Sequence, residues 1–102
     1  MLIECVFSPA AHRQLERLRV YDQRKIVAGI RKHLICSDPR EETRHKFALR
    51  PPPEFADYEL RLGDFRVLYQ VEEGDDAIRL IIALIGLKIR DRLFVEGEEL
   101  IL

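Results

Sequence analysis

The strongest structural signal in this chain is the stretch Tyr58-Glu-Leu-Arg61-Leu-Gly63-Asp64-Phe-Arg66-Val-Leu-Tyr69. Apolar and polar residues alternate on both sides of Gly63-Asp64, and glycine at the first central position suits a two-residue type II′ turn. The pattern therefore predicts a tight β-hairpin in which Arg61 lies opposite Arg66. Because like charges directly opposite each other destabilise a sheet, this pair indicates a site for an anion such as a phosphate or a carboxylate.

The same hairpin predicts two different faces for the sheet. Tyr58, Leu60 and Leu62 share one face with apolar and aromatic residues of the second strand, and we expect this face to pack on helices. The other face carries Arg61 and Arg66 and is predicted to be polar and open.

The first part of the chain predicts one strand and two helices. Residues Leu2–Phe7 alternate as a strand does, and Ser8-Pro9 then predicts an N-cap and the start of a short helix that ends near Val20. Asp22 is predicted to cap a second helix, which ends before Ser37-Asp38-Pro39 because proline disfavours helix in the residue before it. The two helices are expected to form an antiparallel hairpin.

The rest of the chain predicts a three-stranded antiparallel meander over about 56–62, 65–72 and 77–86, which completes a small twisted sheet. The last strand is apolar on both faces, so we expect it to be central. The basic connection over 39–54 is long, and such connections are usually functional or disordered. Residues 94–102 fit either a small hairpin or a short helix. The predicted class is α+β.

The composition limits the classes of protein to which this chain can belong. The 102 residues are 47% hydrophobic and 34% charged, which fits one folded domain over residues 1–102. No signal peptide and no membrane-spanning stretch is evident, so we expect a cytoplasmic protein. The net charge is −1, but residues 11–50 hold 11 Lys/Arg against 5 Asp/Glu, a net of +6, and residues 51–102 hold 6 against 12, a net of −6. This asymmetry suggests a polar partner surface.

Several basic residues suit a phosphodiester substrate, because arginine presents a planar donor fork and lysine a point charge. The candidates for holding phosphate charge are Arg61, Arg66 and Lys88. The tail and the long loop add RNA-binding candidates, namely Arg90, Arg92, Arg44, His45 and Lys46. The alternative is that Arg61 and Arg66 pair with nearby carboxylates of Asp57, Glu59 or Asp64, and that the others are solvated. Nothing in the sequence calls for a metal or an organic cofactor.

The order of these elements resembles the RelE/ParE toxin superfamily. The residues that carry the resemblance are the hairpin Tyr58–Tyr69 and the segment Ile85-Gly86-Leu-Lys88-Ile-Arg90-Asp-Arg92, and Phe7-Ser-Pro-Ala-Ala11 also fits. The resemblance implies a toxin of a type II toxin–antitoxin pair, neutralised by a cognate antitoxin. Members resembling RelE bind the ribosome and cleave mRNA, whereas members resembling ParE inhibit DNA gyrase.

Matched residue by residue, the RelE-type catalytic set falls at Arg66, Arg61 and Lys88. The tyrosine of the family falls at Phe94, which can stack on a base but cannot transfer a proton, and a second expected basic residue falls at Glu59. The leading expectation is a ribosome-dependent, metal-independent mRNA endoribonuclease that inhibits translation. The alternatives are a ParE-type inhibitor of DNA gyrase without nuclease activity, and a catalytically decayed module that still binds an antitoxin.

Overall fold

The computed structural model describes residues 2–102 and shows a seven-stranded sheet with two helices. The strands are β1 (Leu2–Phe7), β2 (Lys46–Ala48), β3 (Tyr58–Leu62), β4 (Phe65–Glu73), β5 (Ala77–Ile89), β6 (Arg92–Val95) and β7 (Glu98–Leu100). The helices are α1 (Pro9–Glu16) and α2 (Val20–Ile30), and α2 continues as a π-helical segment, Arg31–Ile35. The predicted α+β architecture is confirmed. Neither helix within residues 2–102 is long and apolar enough to cross a membrane.

The longest strand, β5, lies at the centre of the sheet, as its two apolar faces predicted. The strand order is β2-β3-β4-β5-β6-β7, and β1 pairs in parallel with the first part of β5. Beyond the end of β1, Ser8 and Gln14 bind the same edge of β5 through their side chains. Ser8 Oγ donates to the Ala83 carbonyl, and Gln14 Oε1 accepts from the Ile85 amide, both at 2.7 Å. The last residues of β5 pair with β6. The backbone of β5 is therefore bonded along both edges.

Helix α1 begins as its sequence predicts. The Ser8 hydroxyl accepts from the Ala11 amide at 3.0 Å, and Pro9 is the first helical residue. The helix ends at Glu16, earlier than the expected end near Val20.

Helix α2 departs from the prediction at both ends. It begins at Val20, so the prediction that Asp22 caps it was wrong. Asp22 instead lies in the first turn, where a carboxylate is favoured by the helix dipole, and accepts from Arg19 Nε at 3.1 Å. The helical path continues through Arg31–Ile35 in π-helical form, which the 3.6-residue period gave no reason to expect. The predicted stop before residues 37–39 is confirmed.

The hydrophobic core lies between the helices and one face of the sheet. The predicted inward residues Leu60, Val67 and Tyr69 are fully buried. They pack with residues of both helices, of the π-helical segment and of β5, namely Ala11, Ile26, Ile30, Leu34, Leu80, Ile82 and Ile85. This apolar face holds the arginine-bearing hairpin rigidly from behind.

The C-terminal residues form a hairpin, which settles the choice the sequence left open. Strands β6 and β7 pair around Glu96 and Gly97, whose φ angles of 52° and 83° suit a type I′ turn. The Glu96 carboxylate joins this turn to α1 by accepting from Arg13 and Arg17 at 2.9–3.1 Å. Hydrogen bonding to Arg13 lowers the pKa of Glu96.

Candidate functional site

The two arginines lie opposite each other across the β3–β4 hairpin, as predicted. Arg61 pairs with Arg66, and Leu62 pairs with Phe65 across the turn. Gly63 has a φ of 60° while Asp64 has a negative φ, which fits the predicted type II′ turn. The predicted register, and the placement of both arginines on one face, are therefore confirmed.

Arg61 is occupied by neighbours within the sheet. Its Nε donates to Glu59 Oε2 at 3.3 Å, and its guanidinium carbon lies 4.5 Å from the centre of the Phe47 ring. A guanidinium over an aromatic face is attracted by the ring quadrupole. Arg61 thus pairs with the carboxylate of Glu59, as the alternative interpretation of the sequence expected. Its side chain nevertheless remains 44% exposed.

Arg66 is buried, with only 9% of its surface exposed. Its Nη1 donates to the carbonyls of Gly63 at 2.6 Å and Phe65 at 2.9 Å, which fastens the guanidinium to the turn. Its Nε is buried and has no hydrogen-bond partner among the described residues. A buried unpaired donor is costly, so this atom is available to an acceptor that enters the site.

The arginine-bearing face is covered around Arg66 but exposed at Arg61, so the prediction that it is open was wrong at Arg66. Gly86 lies beside Arg66 in the sheet, so the two residues point to the same face. A Cβ on Gly86 would lie 2.8 Å from the Phe94 carbonyl oxygen and 3.0 Å from Leu93. Strand β6, which lies beside β5 in the sheet, therefore leaves no room for a side chain at Gly86 on this face. Glu59, two residues before Arg61 and so on the same face of β3, is only 8% exposed.

A cavity of about 250 Å³ remains between the hairpin and the C-terminal residues. Arg66, Lys88 and Arg92 line it, together with the C-terminal residues 99–102. The charged side chains around the cavity are Arg66, Lys88, Arg92, Glu59, Asp91 and Glu99. Three positive and three negative side chains give a balanced site, whereas binding to a nucleic-acid backbone depends on excess positive charge. The two acidic residues from the tail, Asp91 and Glu99, were not anticipated from the sequence, because only the folded C-terminal hairpin brings them to the cavity.

The remaining predicted site residues are dispersed. Phe94 pairs with Leu87 and lines a separate apolar groove beside α1, on the face opposite Arg66. Arg90 lies in the β5–β6 turn with a φ of 57°. Arg44 is exposed in the loop before β2 and donates to the ring of His45 at 3.3 Å. These residues do not line the Arg66 cavity.

Lys46 has a structural position instead of the expected RNA-facing one. It is 1% exposed, and its Nζ donates to the backbone carbonyls of His33 at 2.5 Å and Asp38 at 2.7 Å. Burial lowers the pKa of this lysine. The ammonium group thus joins β2 to the segment that follows the helices and is not accessible to RNA.

The long connection is tied down by several polar contacts. Besides Lys46, the Tyr69 hydroxyl donates to the Pro39 carbonyl at 2.8 Å, and Arg40 donates to both oxygens of Asp38 at 2.9 Å. The hydrogen bonds from Arg40 lower the pKa of Asp38 to about 2. Strand β2 lies inside this connection and pairs with β3, which the sequence prediction missed.

The comparison with family models identifies the protein class. Residues 5–86 match the model described as the ParE toxin of the type II toxin–antitoxin system, parDE. The match covers most of the chain, so the chain belongs to this toxin family within the RelE/ParE superfamily, and the family implies a cognate antitoxin as partner. A search of curated proteins found no match. The matched residues end at Gly86, so Lys88, Arg90, Arg92 and Phe94 lie beyond them.

Proposed function

We propose that this toxin acts as a ParE-type inhibitor of DNA gyrase, by binding to the enzyme and without cleaving RNA. The observation that carries the proposal is the state of the Arg66 cavity. Arg66 is only 9% exposed, the C-terminal residues 99–102 line the cavity, and the charged side chains around it balance. A phosphodiester substrate needs an accessible, electropositive site, so this cavity fits poorly with RNA cleavage.

Two further features support the same proposal. Arg61 is held by Glu59 and Phe47, so it is not free to move onto a phosphate without breaking those contacts. Phe94 lies on the opposite face of the sheet, so its ring cannot stack on a base of an RNA bound at Arg66. We further propose that residues 1–102 act as a single domain in the cytoplasm and that a cognate antitoxin neutralises it there.

A metal-independent mRNA endoribonuclease is the second candidate, and one observation favours it. The unpartnered Nε of Arg66 shares its cavity with Lys88 and Arg92. Three positively charged donors together can stabilise the negative charge that develops on a phosphodiester during its cleavage. In this alternative, residues 99–102 would have to move away from the cavity before RNA entered.

Inducible expression in bacterial cells separates the two candidates. We expect growth arrest and relaxed plasmid topoisomers, with the 5′ ends of cellular mRNA unchanged. The double variant Lys88→Ala/Arg92→Ala removes two of the three cavity cations and is expected to arrest growth as the wild type does. Plasmid topology on chloroquine gels and mapping of mRNA ends measure the two effects.

The opposite pattern would favour the nuclease. New mRNA ends in the wild type that disappear in the double variant, with plasmid topology unchanged, contradict the proposal. Soluble protein without any effect on growth would instead indicate a decayed module that only binds its antitoxin.

A further inference from the structure

Three positively charged side chains on the outer side of α2 have no acidic neighbour. Arg24, Arg31 and Lys32, the basic row, are exposed and line one groove, and no described acidic side chain lines it. Within residues 2–102, none of the three makes an ion pair. The arginines of residues 11–50 that do bind carboxylates are Arg13, Arg17, Arg19, Arg40 and Arg50. The positive charge of this part of the chain is therefore left uncompensated at the basic row.

The basic row follows one side of the helix. Arg24 and Arg31 are seven residues apart, which is about two turns, or roughly 10.5 Å along the axis. Lys32 comes next, in the π-helical segment that continues α2. The phosphates of one strand of duplex DNA recur about every 3.4 Å along its axis. A row of this length can therefore meet the phosphates of several consecutive nucleotides.

The net charge of −1 does not cancel this local positive charge. At 0.1 M salt the screening length is about 10 Å, so exposed carboxylates farther than this from the basic row act on it only weakly. The Arg66 cavity differs in this respect, because its three cations share the space with three acidic side chains. Of these two sites, the basic row is thus the one with the excess positive charge that a nucleic-acid backbone requires.

We propose that the basic row binds the phosphate backbone of duplex DNA, in a contact that does not depend on sequence and that the toxin makes while it is bound to gyrase. The choice of duplex DNA rests on the proposed function, because gyrase holds duplex DNA as its substrate. Arginine offers phosphate a planar fork of donors, and lysine offers a point charge. A single carboxylate of a protein would neutralise one of the three cations, whereas regularly spaced phosphates neutralise all three at once.

Fluorescence anisotropy with a short labelled DNA duplex of mixed sequence tests the proposal on the purified full chain. Three phosphate contacts predict that the logarithm of the binding constant falls against the logarithm of the salt concentration with a slope of about −2.7. With this slope, the affinity of the wild type decreases roughly fortyfold between about 50 and 200 mM salt.

The double variant Arg24→Gln/Arg31→Gln removes two of the three charges, and glutamine has a helix propensity close to that of arginine. We expect its salt slope to be about −1 and its affinity at low salt to be about tenfold lower or more. Val27→Ala changes the apolar part of the same groove without changing charge. Its affinity for the duplex is expected to stay within about twofold of the wild type.

The matched control is Arg50→Gln/Arg79→Gln, which lowers the net charge by the same amount away from the groove. Arg50 already binds the carboxylate of Glu42. Arg79 lies between Glu4 and Glu72 in the sheet. Because both arginines have acidic neighbours, this control is expected to keep the affinity of the wild type within about twofold. Circular dichroism melting checks that every variant folds.

The outcomes separate this proposal from the proposed function. A wild type that does not bind the duplex overturns the proposal, and so does an equal loss of affinity in the double variant and its matched control. Tighter binding to a single-stranded RNA than to the duplex, lost in the same double variant, overturns it in favour of RNA. Inhibition of gyrase is measured separately in the supercoiling assay. Inhibition by a wild type that does not bind the duplex would leave the proposed function standing, whereas duplex binding without inhibition would contradict only the proposed function.

Discussion

Replacing Tyr69 by alanine is expected to lower the free energy of unfolding by about 3–5 kcal/mol, the range typical for deleting a buried aromatic side chain. The ring is fully buried and stacks against Tyr58, with ring centroids 5.3 Å apart. Its hydroxyl also binds the carbonyl of Pro39, so one side chain joins the sheet to the segment after the helices. Urea unfolding followed by circular dichroism measures the change.

Tyr69→Phe separates the two contributions. This variant keeps the ring but leaves the carbonyl of the fully buried Pro39 without its donor, which is expected to cost about 1–3 kcal/mol. A phenylalanine variant as stable as the wild type would show that the hydrogen bond does not anchor the loop. An alanine variant that loses less than about 1 kcal/mol would contradict the central position given to this residue.

Gly86→Ala is the second substitution with a large expected effect. The new methyl group would lie 2.8 Å from the backbone oxygen of Phe94 and 3.1 Å from Val95, so strand β6 must move. Overpacking of this kind typically costs about 1–3 kcal/mol. We expect the C-terminal hairpin to loosen and Arg66 to gain solvent exposure. Urea unfolding gives the stability change, and amide hydrogen exchange in residues 92–95 reports the loosening.

Gly74→Ala is the matched control, because it makes the same change in the β4–β5 turn. There a Cβ would lie 3.3 Å from the Ala77 carbonyl, so only a small adjustment is needed, and β6 is not involved. Its exchange in residues 92–95 should equal that of the wild type. Unchanged exchange and unchanged stability in Gly86→Ala would contradict the conclusion that β6 packs tightly against Gly86.

Local sequence signals predicted much of this fold because they rest on contacts between near neighbours. The Gly63-Asp64 turn set the register of the hairpin, and with it the pairing of Arg61 with Arg66. Ser8 and Pro9 marked the start of α1 through their own capping chemistry. The apolar run in β5 predicted a central strand. In each case the deciding interaction lies within a few residues or follows from burial alone.

The site was harder to predict because its environment is assembled by distant residues. Alternation correctly placed Arg66 on the polar face, but it could not show that the C-terminal residues 99–102 line the same cavity. Lys46 is basic and was predicted to lie in a loop, which favours an exposed position, yet its ammonium group binds two backbone carbonyls from other segments. A periodic pattern also cannot show that α2 continues in π-helical form. These features depend on tertiary contacts that no local pattern contains.

The central proposal is that this toxin acts on gyrase as a binding protein and does not use its arginine cavity to cleave RNA. The most direct test titrates the purified protein against purified DNA gyrase in a plasmid supercoiling assay. The account predicts that supercoiling stops, that Lys88→Ala/Arg92→Ala inhibits as well as the wild type, and that added antitoxin restores activity. Full gyrase activity in the presence of excess folded toxin, together with cleavage of mRNA on purified translating ribosomes, would contradict it.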